Sequence, residues 1–363
     1  GIFVGAVAVR IFSDYHEVTT GYLMALVLLL FIFIREPEGW LSHRGPRWRI
    51  VSAFVLAIVV SGYWLKATTW EPAGLLHKER SFFGVVRVVE WLQEDGLDHR
   101  RVIRHGTTVH GVQLLAENLK GIPTSYYGVV TGVGLVMQQR HPEAPFRMGV
   151  LGLGAGTMAA YGREVDYFRF YEIDPVVIEM SDEDGFFTFL ENSAAEIEVV
   201  PGDARLSLQQ ELDLVGSQQF DLLVVDAFSS DSIPMHLLTL EALELYIQHL
   251  RPGGLLAFHV SNRFFDLEPI VYRLGSELNL ATLSIRNERA GLRRGSSSWW
   301  VFLSPSKARI MSLRSFAVNK RRMMGPGAQK KLVVRDTSDS VYLKSPLWTD
   351  DYSSLLAILF RSR

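Results

Sequence analysis

One stretch of the chain, residues 148–174, constrains its fold more than any other segment. It begins with the apolar run M-G-V-L and continues through the glycine-rich turn G-L-G-A-G. Further along, an aromatic-rich run, Y-F-R-F-Y, leads to Glu172. Glycine lets a backbone adopt positive φ and approach a ligand closely. An acidic residue at the end of the second strand of a βαβ unit typically hydrogen-bonds ribose hydroxyls. The stretch therefore predicts a nucleoside-binding βαβ unit whose turn is formed by Gly152, Gly154 and Gly156.

The spacing of these glycines separates two kinds of nucleoside site. A dinucleotide site has the pattern G-x-G-x-x-G, whose third glycine permits close packing of helix on strand. Here the pattern is G-x-G-x-G followed by Thr157, which is the commoner spacing in S-adenosylmethionine-type sites, where no pyrophosphate has to be held. We therefore expect a sulfonium nucleoside at this turn.

Two later strands also end in acidic residues. The third strand leads into G-D-A, which places Asp203 and Ala204 at its end, where a carboxylate suits an adenine amino group. Phe220–Val225 is a continuous apolar run, typical of a parallel strand buried on both faces, and it ends at Asp226. Ligands bind at the carboxyl ends of strands in open α/β sheets, so these acids and Glu172 are expected to lie together. The alternative is that each acid is a solvated strand end or a helix cap. That alternative is stronger for a single acid than for all of them together.

Five motifs, spread over about residues 80–305, carry a resemblance to one known family. They are Gly152–Gly156, Glu172–Pro175, Gly202–Ala204, Val225–Asp231 and Leu250–Gly254. Together they resemble the spermidine synthase (polyamine aminopropyltransferase) family. The resemblance implies that Asp226 is the base for the attacking amine and that Asp231 holds the amine substrate. The segment H-G-T-T-V-H-G resembles the family's hairpin over the sulfonium cofactor, which implies that Gln113 contacts the cofactor and His110 the substrate.

The chain also departs from the family where the amine would bind. The family follows its hairpin with D-E and then Y-H-E, whereas this chain has P-T-S-Y-Y-G-V. Tyr127 matches the tyrosine, but Gly128 and Val129 stand in place of histidine and glutamate. Burying an unpaired ammonium group is costly, so a diamine needs carboxylates at both ends. The cofactor half of the site is therefore predicted more strongly than the amine half.

The reaction implied by the resemblance is aminopropyl transfer from decarboxylated S-adenosylmethionine to a di- or polyamine. Asp226 and Tyr127 are then the catalytic residues of a transferase, and no metal is expected. Two other functions remain open on the same residues. One is a methyltransferase that uses intact S-adenosylmethionine. The other is a non-catalytic sensor that binds a nucleoside or polyamine and reports to a membrane domain.

Two apolar runs near the start of the chain predict membrane-spanning helices. Val18–Ile34 and Ile50–Leu65 contain no charge, although each is slightly shorter than the ~20 residues that a spanning helix needs. Residues 1–12 read as the tail of a further span. These runs, with T-D-D-Y-S at Thr349–Ser353, are typical of membrane-fused bacterial relatives of spermidine synthase. The alternative is that the two runs are buried core helices.

The composition of the chain excludes some classes of binding partner and some kinds of chemistry. The net charge of −2 gives no basic surface for nucleic acid, and the absence of cysteine excludes disulfides and thiolate chemistry. The expected partners are a small amine, a lipid membrane and a second copy of the chain in a homodimer. We expect a multi-pass protein of the inner or plasma membrane, with its catalytic domain in the cytoplasm, where the sulfonium nucleoside is made.

The predicted fold class is α/β, a class I methyltransferase-like (Rossmann-like) sheet with a small N-terminal β region, preceded by transmembrane helices. A helix is expected at Tyr127–Arg140, leading into the sheet. The predicted parts are transmembrane helices at 1–66, a linker at 67–80, the β region at 81–126, the nucleoside-binding catalytic domain at 127–305 and a C-terminal extension at 306–363.

Overall fold

A computed structural model of the chain divides into two units, residues 1–89 and residues 90–363. The structure describes residues 14–35, 46–69, 71–92, 99–106, 108–182, 185–227, 234–262, 264–288, 297–324, 332–336 and 342–358.

The first unit contains two helices and a hairpin. Helices α1 and α2 span His16–Arg35 and Pro46–Thr69, and strands β1 and β2 span Leu75–Ser81 and Gly84–Trp91. The two strands pair antiparallel, and the valines of β2 are buried. All of strand β1 except Ser81 therefore lies within residues 67–80, where the sequence predicts a polar linker. One of its polar side chains pairs with helix α1: the Arg80 guanidinium donates to both carboxylate oxygens of Glu17, at 2.8 and 2.6 Å.

The prediction of a multi-pass membrane protein is wrong. The apolar runs do form helices α1 and α2, but within the described parts of the chain no helix is both long enough and apolar enough to cross a bilayer. The first turn of α1 carries Glu17, which is buried against Arg80, and the last turn of α2 carries Lys66. The further span predicted at residues 1–12 lies outside the described residues.

A hairpin and a short helix begin the second unit. Strands β3, Arg100–His105, and β4, Thr108–Leu114, pair antiparallel, and helix α3 spans Gly132–Gln138. The helix is shorter than the predicted Tyr127–Arg140. It begins late because Thr131 caps it, accepting a hydrogen bond from the Gly134 N–H at 3.4 Å. Tyr127 consequently lies in the turn that precedes the helix.

An eight-stranded sheet forms the centre of this unit, in the order β12-β10-β11-β9-β8-β5-β6-β7. Neighbours from β9 to β7 run parallel, whereas β11 runs antiparallel to β9 and β10, and β12 antiparallel to β10. The strands are β5 Arg147–Leu151, β6 Tyr167–Glu172, β7 Glu196–Pro201, β8 Phe220–Val225, β9 Leu250–His259, β10 Ala281–Asn287, β11 Ser298–Ser304 and β12 Leu332–Asp336. The predicted α/β methyltransferase-like sheet is confirmed.

Helices cover the sheet and fix its core. They are α4 Pro175–Ser181, α5 Ala204–Leu214, α6 Leu240–Gln248, α7 Glu268–Glu277 and α8 Lys307–Met323, with single 3₁₀ turns at Thr157–Tyr161, Met235–Leu237, Tyr342–Lys344 and Leu355–Ile358. Every residue of β8 is buried, as a parallel strand covered on both faces requires. The chain builds outward from β5 to β7 and then returns to β8 on the other side of β5. This reversal is a topological switch point, where open α/β sheets bind ligands.

Candidate active site

The predicted acids and the glycine turn lie at one edge of the sheet. Gly152 follows β5, Glu172 ends β6, Asp203 follows β7 and Asp226 follows β8, and these four strands are neighbours. The main chain joins them at this edge, since the Asp226 N–H donates to the Leu151 carbonyl at 3.0 Å. The structure thus brings together the four positions that the sequence predicts to meet.

The turn after β5 has a shape that only glycine permits. Gly152, Gly154 and Gly156 all have positive φ, at 97°, 56° and 74°. A Cβ on Gly152 would lie 2.5 Å from the carbonyl oxygen of Asp226, and one on Gly154 would lie 2.6 Å from that of His110. The turn is therefore held closely between the candidate base on one side and the β3–β4 hairpin on the other.

Glu172 ties the glycine turn to the start of helix α4. One of its oxygens accepts from the Leu153 N–H and the other from the Asp174 N–H, each at 2.9 Å. Burial raises the pKa of the Glu172 carboxyl above its usual value, although the N–H groups of Asp174 and Leu153 oppose that effect. A carboxylate offers about four acceptor positions, more than these two N–H groups fill.

Asp203 caps helix α5 and has a second partner. Its Oδ1 accepts from the Leu206 N–H at 3.0 Å, and its Oδ2 lies 2.9 Å from Nε2 of His236. The helix-cap role considered for a lone acid therefore applies to Asp203. Ala204 is buried in the first turn of the same helix. His236 lies beside the position predicted to hold adenine.

The β3–β4 hairpin packs against the glycine turn. His110 presents its carbonyl oxygen to Gly154, and a Cβ on Gly111 would lie 2.4 Å from the Cβ of Ala155. Gln113 is buried, and its amide donates to the Thr188 hydroxyl at 2.8 Å and accepts from the Thr188 N–H at 3.1 Å. Gln113 thus holds the hairpin to the segment after helix α4. Asp231, predicted to hold the amine substrate, lies outside the described residues.

Two side chains donate to the Asp226 carboxylate. The Tyr127 hydroxyl donates to Oδ2, and Nδ1 of His259 lies 2.7 Å from Oδ1. Burial raises the pKa of the Tyr127 phenol well above its usual value, and the neighbouring Asp226 charge adds to the effect. Tyr127 therefore stays a neutral donor, and the site holds one oriented carboxylate at the switch point.

Aromatic rings surround this carboxylate. The Tyr126 ring stacks on the His259 ring with centroids 4.3 Å apart, and the Trp300 ring lies 4.8 Å from the same histidine. Burial also raises the pKa of the Tyr126 phenol well above its usual value, with Asp226 again contributing. These rings exclude water from around Asp226, which strengthens its electrostatic interactions.

Tyr126 and His259 are site residues that the sequence reasoning missed. The signal for His259 was present, because it ends the strand that follows Phe220–Val225 along the chain. In the sheet Val225 is in register with Phe258, so the next residues, Asp226 and His259, lie side by side. Predicting that contact needs the pairing of β8 with β9, which the chain order alone does not give.

Comparisons with known proteins point in one direction. No protein-family profile matches this chain. The chain is 31% identical over 134 residues to a polyamine aminopropyltransferase of Vibrio vulnificus, which covers 36% of this chain and 43% of that protein. It is 24% identical over 175 residues to a probable polyamine aminopropyl transferase of Bifidobacterium longum, which covers 48% of this chain and 36% of that protein. The chain thus spans less than half the length of either curated relative.

A solved structure shares the fold. The crystal structure of a probable spermidine synthase from Corynebacterium glutamicum matches with a TM-score of 0.54 at 17% identity, covering 79% of this chain and 99% of that one. At this identity the likeness concerns the fold. Together the comparisons support a spermidine synthase-like assignment. They do not support the narrower one to a membrane-fused branch.

Proposed function

We propose that this chain transfers an aminopropyl group from decarboxylated S-adenosylmethionine to an amine. The observation that carries the proposal is the buried Asp226 carboxylate, held by Tyr127 and His259 beside the glycine turn at the switch point of the sheet. A sulfonium carbon is already electrophilic, so the enzyme has to supply proximity and a neutral amine. The names of the two curated relatives agree with this reaction.

The nucleoside half of the substrate fits the strand ends. The Glu172 carboxylate would accept from the ribose hydroxyls beside its main-chain donors, and the glycine turn lets a ligand approach its main chain. Asp203 would accept from the adenine amino group, and His236 lies beside it. These contacts would serve intact and decarboxylated S-adenosylmethionine equally, so the reaction depends on what lies around Asp226.

At Asp226 the proposed step is a nucleophilic substitution. The amine nitrogen forms a bond to the propyl carbon attached to sulfur, and that carbon–sulfur bond breaks. The electron pair of the broken bond goes to sulfur, so the sulfonium leaves as the neutral thioether methylthioadenosine. The proton that the amine gives up passes to Asp226. Tyr127, a neutral donor, keeps that carboxylate oriented toward the nitrogen.

Product analysis tests the proposal. The wild-type chain is incubated with decarboxylated S-adenosylmethionine and a panel of diamines, and mass spectrometry measures methylthioadenosine and the extended amine. Asp226→Asn should lower turnover by the ~10²–10⁴-fold typical of general-base loss and leave nucleoside affinity unchanged. Asp213→Asn, on an exposed helix end, is the control and should not change turnover.

Two outcomes would overturn the proposal. If the wild type consumes no amine with the decarboxylated substrate but methylates an acceptor with intact S-adenosylmethionine, the site is that of a methyltransferase. If it binds the nucleoside and converts neither, the pocket belongs to a ligand sensor.

A further inference from the structure

We infer that His259 is a positioning residue, which fixes the orientation of the Asp226 carboxylate for the proposed reaction. The inference rests on the proposed function for its chemistry, and on the contacts of His259 for its geometry. The sheet itself creates the contact, because Val225 of β8 and Phe258 of β9 are in parallel register and the next residue of each strand is Asp226 or His259. The 2.7 Å distance between Nδ1 and Oδ1 is therefore set by the pairing of two neighbouring strands.

The imidazole ring packs against two aromatic rings. Tyr126 stacks on it with an interplanar angle of 18°, and Trp300 lies against it at 30°. Trp300 in turn donates from Nε1 to the Tyr126 carbonyl at 3.2 Å, which joins these two residues to each other. With 7% of its side chain exposed, His259 has little freedom to turn away from Asp226. A ring fixed in this way can hold a carboxylate in one orientation.

The two donors divide the carboxylate between them. Tyr127 donates to Oδ2 and the imidazole Nδ1 to Oδ1, so the two donors hold different oxygens of the carboxylate. In this arrangement the amine proton goes to Asp226 while His259 keeps its own. The histidine supplies orientation without touching the substrate.

A pair of substitutions separates the hydrogen bond from the packing. His259→Phe keeps an aromatic ring between Tyr126 and Trp300 but removes the donor. His259→Asn places an amide N–H close to the position of Nδ1 and keeps the donor while losing the ring. Because a hydrogen bond to a charged group is involved, His259→Phe should lower kcat about ten- to a hundredfold. His259→Asn should recover most of that loss, and the Kd for methylthioadenosine should be unchanged in both.

Two kinetic results would overturn the inference. One is an equal loss of kcat in both variants, which would assign the role to the ring itself. The other is a loss of methylthioadenosine binding that matches the loss of kcat, which would mean that His259 only supports the fold.

A readout that needs no activity keeps this inference separate from the proposed function. Nitrogen NMR of histidine-labelled protein should show a slowly exchanging Nδ1–H of His259 in the wild type. The signal should disappear in His259→Phe and in Asp226→Leu, which lacks the acceptor. If the signal is present but the wild type consumes no amine, the proposed function fails and the hydrogen bond stands. If the wild type turns over without that signal, the inference fails and the function stands.

Discussion

In Glu172, ligand binding and the stability of the fold favour different protonation states of the carboxyl group. Its ionised form accepts from Leu153 and Asp174 and is the form that accepts from ribose. Its burial, however, raises its pKa, so the folded chain favours the neutral acid more than the unfolded chain does. The stability contributed by that preference is present at low pH and is lost as pH rises through the raised pKa. Ligand affinity should run in the opposite direction.

We therefore expect methylthioadenosine to bind more weakly as pH falls from neutral into the acid range, with the loss beginning above the range of an exposed glutamate near 4.3. Protonation replaces two charge-assisted bonds by weaker ones, so affinity should drop about tenfold or more. Calorimetric titration across this range measures the change. Glu172→Gln should bind weakly at every pH, and a wild-type affinity that stays flat would contradict a ribose role for this carboxylate.

At the scale of single residues, the sequence predicts the acids better than their partners. Asp226 and Glu172 are predictable because each ends an apolar run, and strand ends of parallel sheets meet at one edge. Tyr126, His259 and His236 are not, because each reaches its acid across the sheet or from a separate loop. Those contacts depend on strand order and register, which only the folded chain supplies.

At the scale of elements, the fit of one hairpin against one turn determines the shape of the site. The β3–β4 hairpin meets the glycine turn at two places, through the carbonyl of His110 against Gly154 and through Gly111 against Ala155. A side chain on Gly154 or on Gly111 would therefore clash with the element opposite it. The hairpin therefore holds the turn in the position where it joins Asp226 to the nucleoside side of the sheet.

Replacing Gly111 tests that fit. The Cβ of Gly111→Ala would lie 2.4 Å from the Cβ of Ala155, so the hairpin has to move away from the turn. Overpacking of this kind should cost about 1–3 kcal/mol of stability and weaken nucleoside binding. Gly121→Ala is the matched control, because a Cβ there has nothing within 4 Å. Urea unfolding and nucleoside titration measure both effects, and two variants that behave alike would show that the hairpin does not hold the turn.

The elements themselves were predicted unevenly. Strand Phe220–Val225 matches its predicted bounds, because a buried parallel strand leaves a continuous apolar run. The helix predicted at Tyr127–Arg140 begins only at Gly132, since Thr131 caps the later start. Strand β1 was missed because its row of polar residues has no apolar alternation to mark it.

At the scale of the second unit, the C-terminal extension is part of the core. Trp348 is fully buried in the hydrophobic cluster that includes β8, β9 and helix α6, and its carbonyl accepts from the Leu240 N–H at 2.9 Å. Two residues later Asp350 accepts from both terminal nitrogens of Arg205, at 2.7 and 2.6 Å, and from the Thr239 hydroxyl at 2.9 Å. The sequence marks T-D-D-Y-S as a motif, but its attachment to helix α5 depends on tertiary structure.

Removing Trp348 should therefore destabilise the second unit far more than its position near the chain end implies. Trp348→Ala opens a cavity in a packed core, which typically costs about 3–5 kcal/mol. Tyr352→Ala, four residues later and 57% exposed, should change stability by no more than about 0.5 kcal/mol. Urea unfolding followed by circular dichroism compares the two, and the midpoint should fall in the first variant while the slope stays the same.

Because Asp350 fixes Arg205 in the first turn of the helix that Asp203 caps, Trp348→Ala should also weaken nucleoside binding. Similar stability in both variants would mean that the extension only lies on the surface.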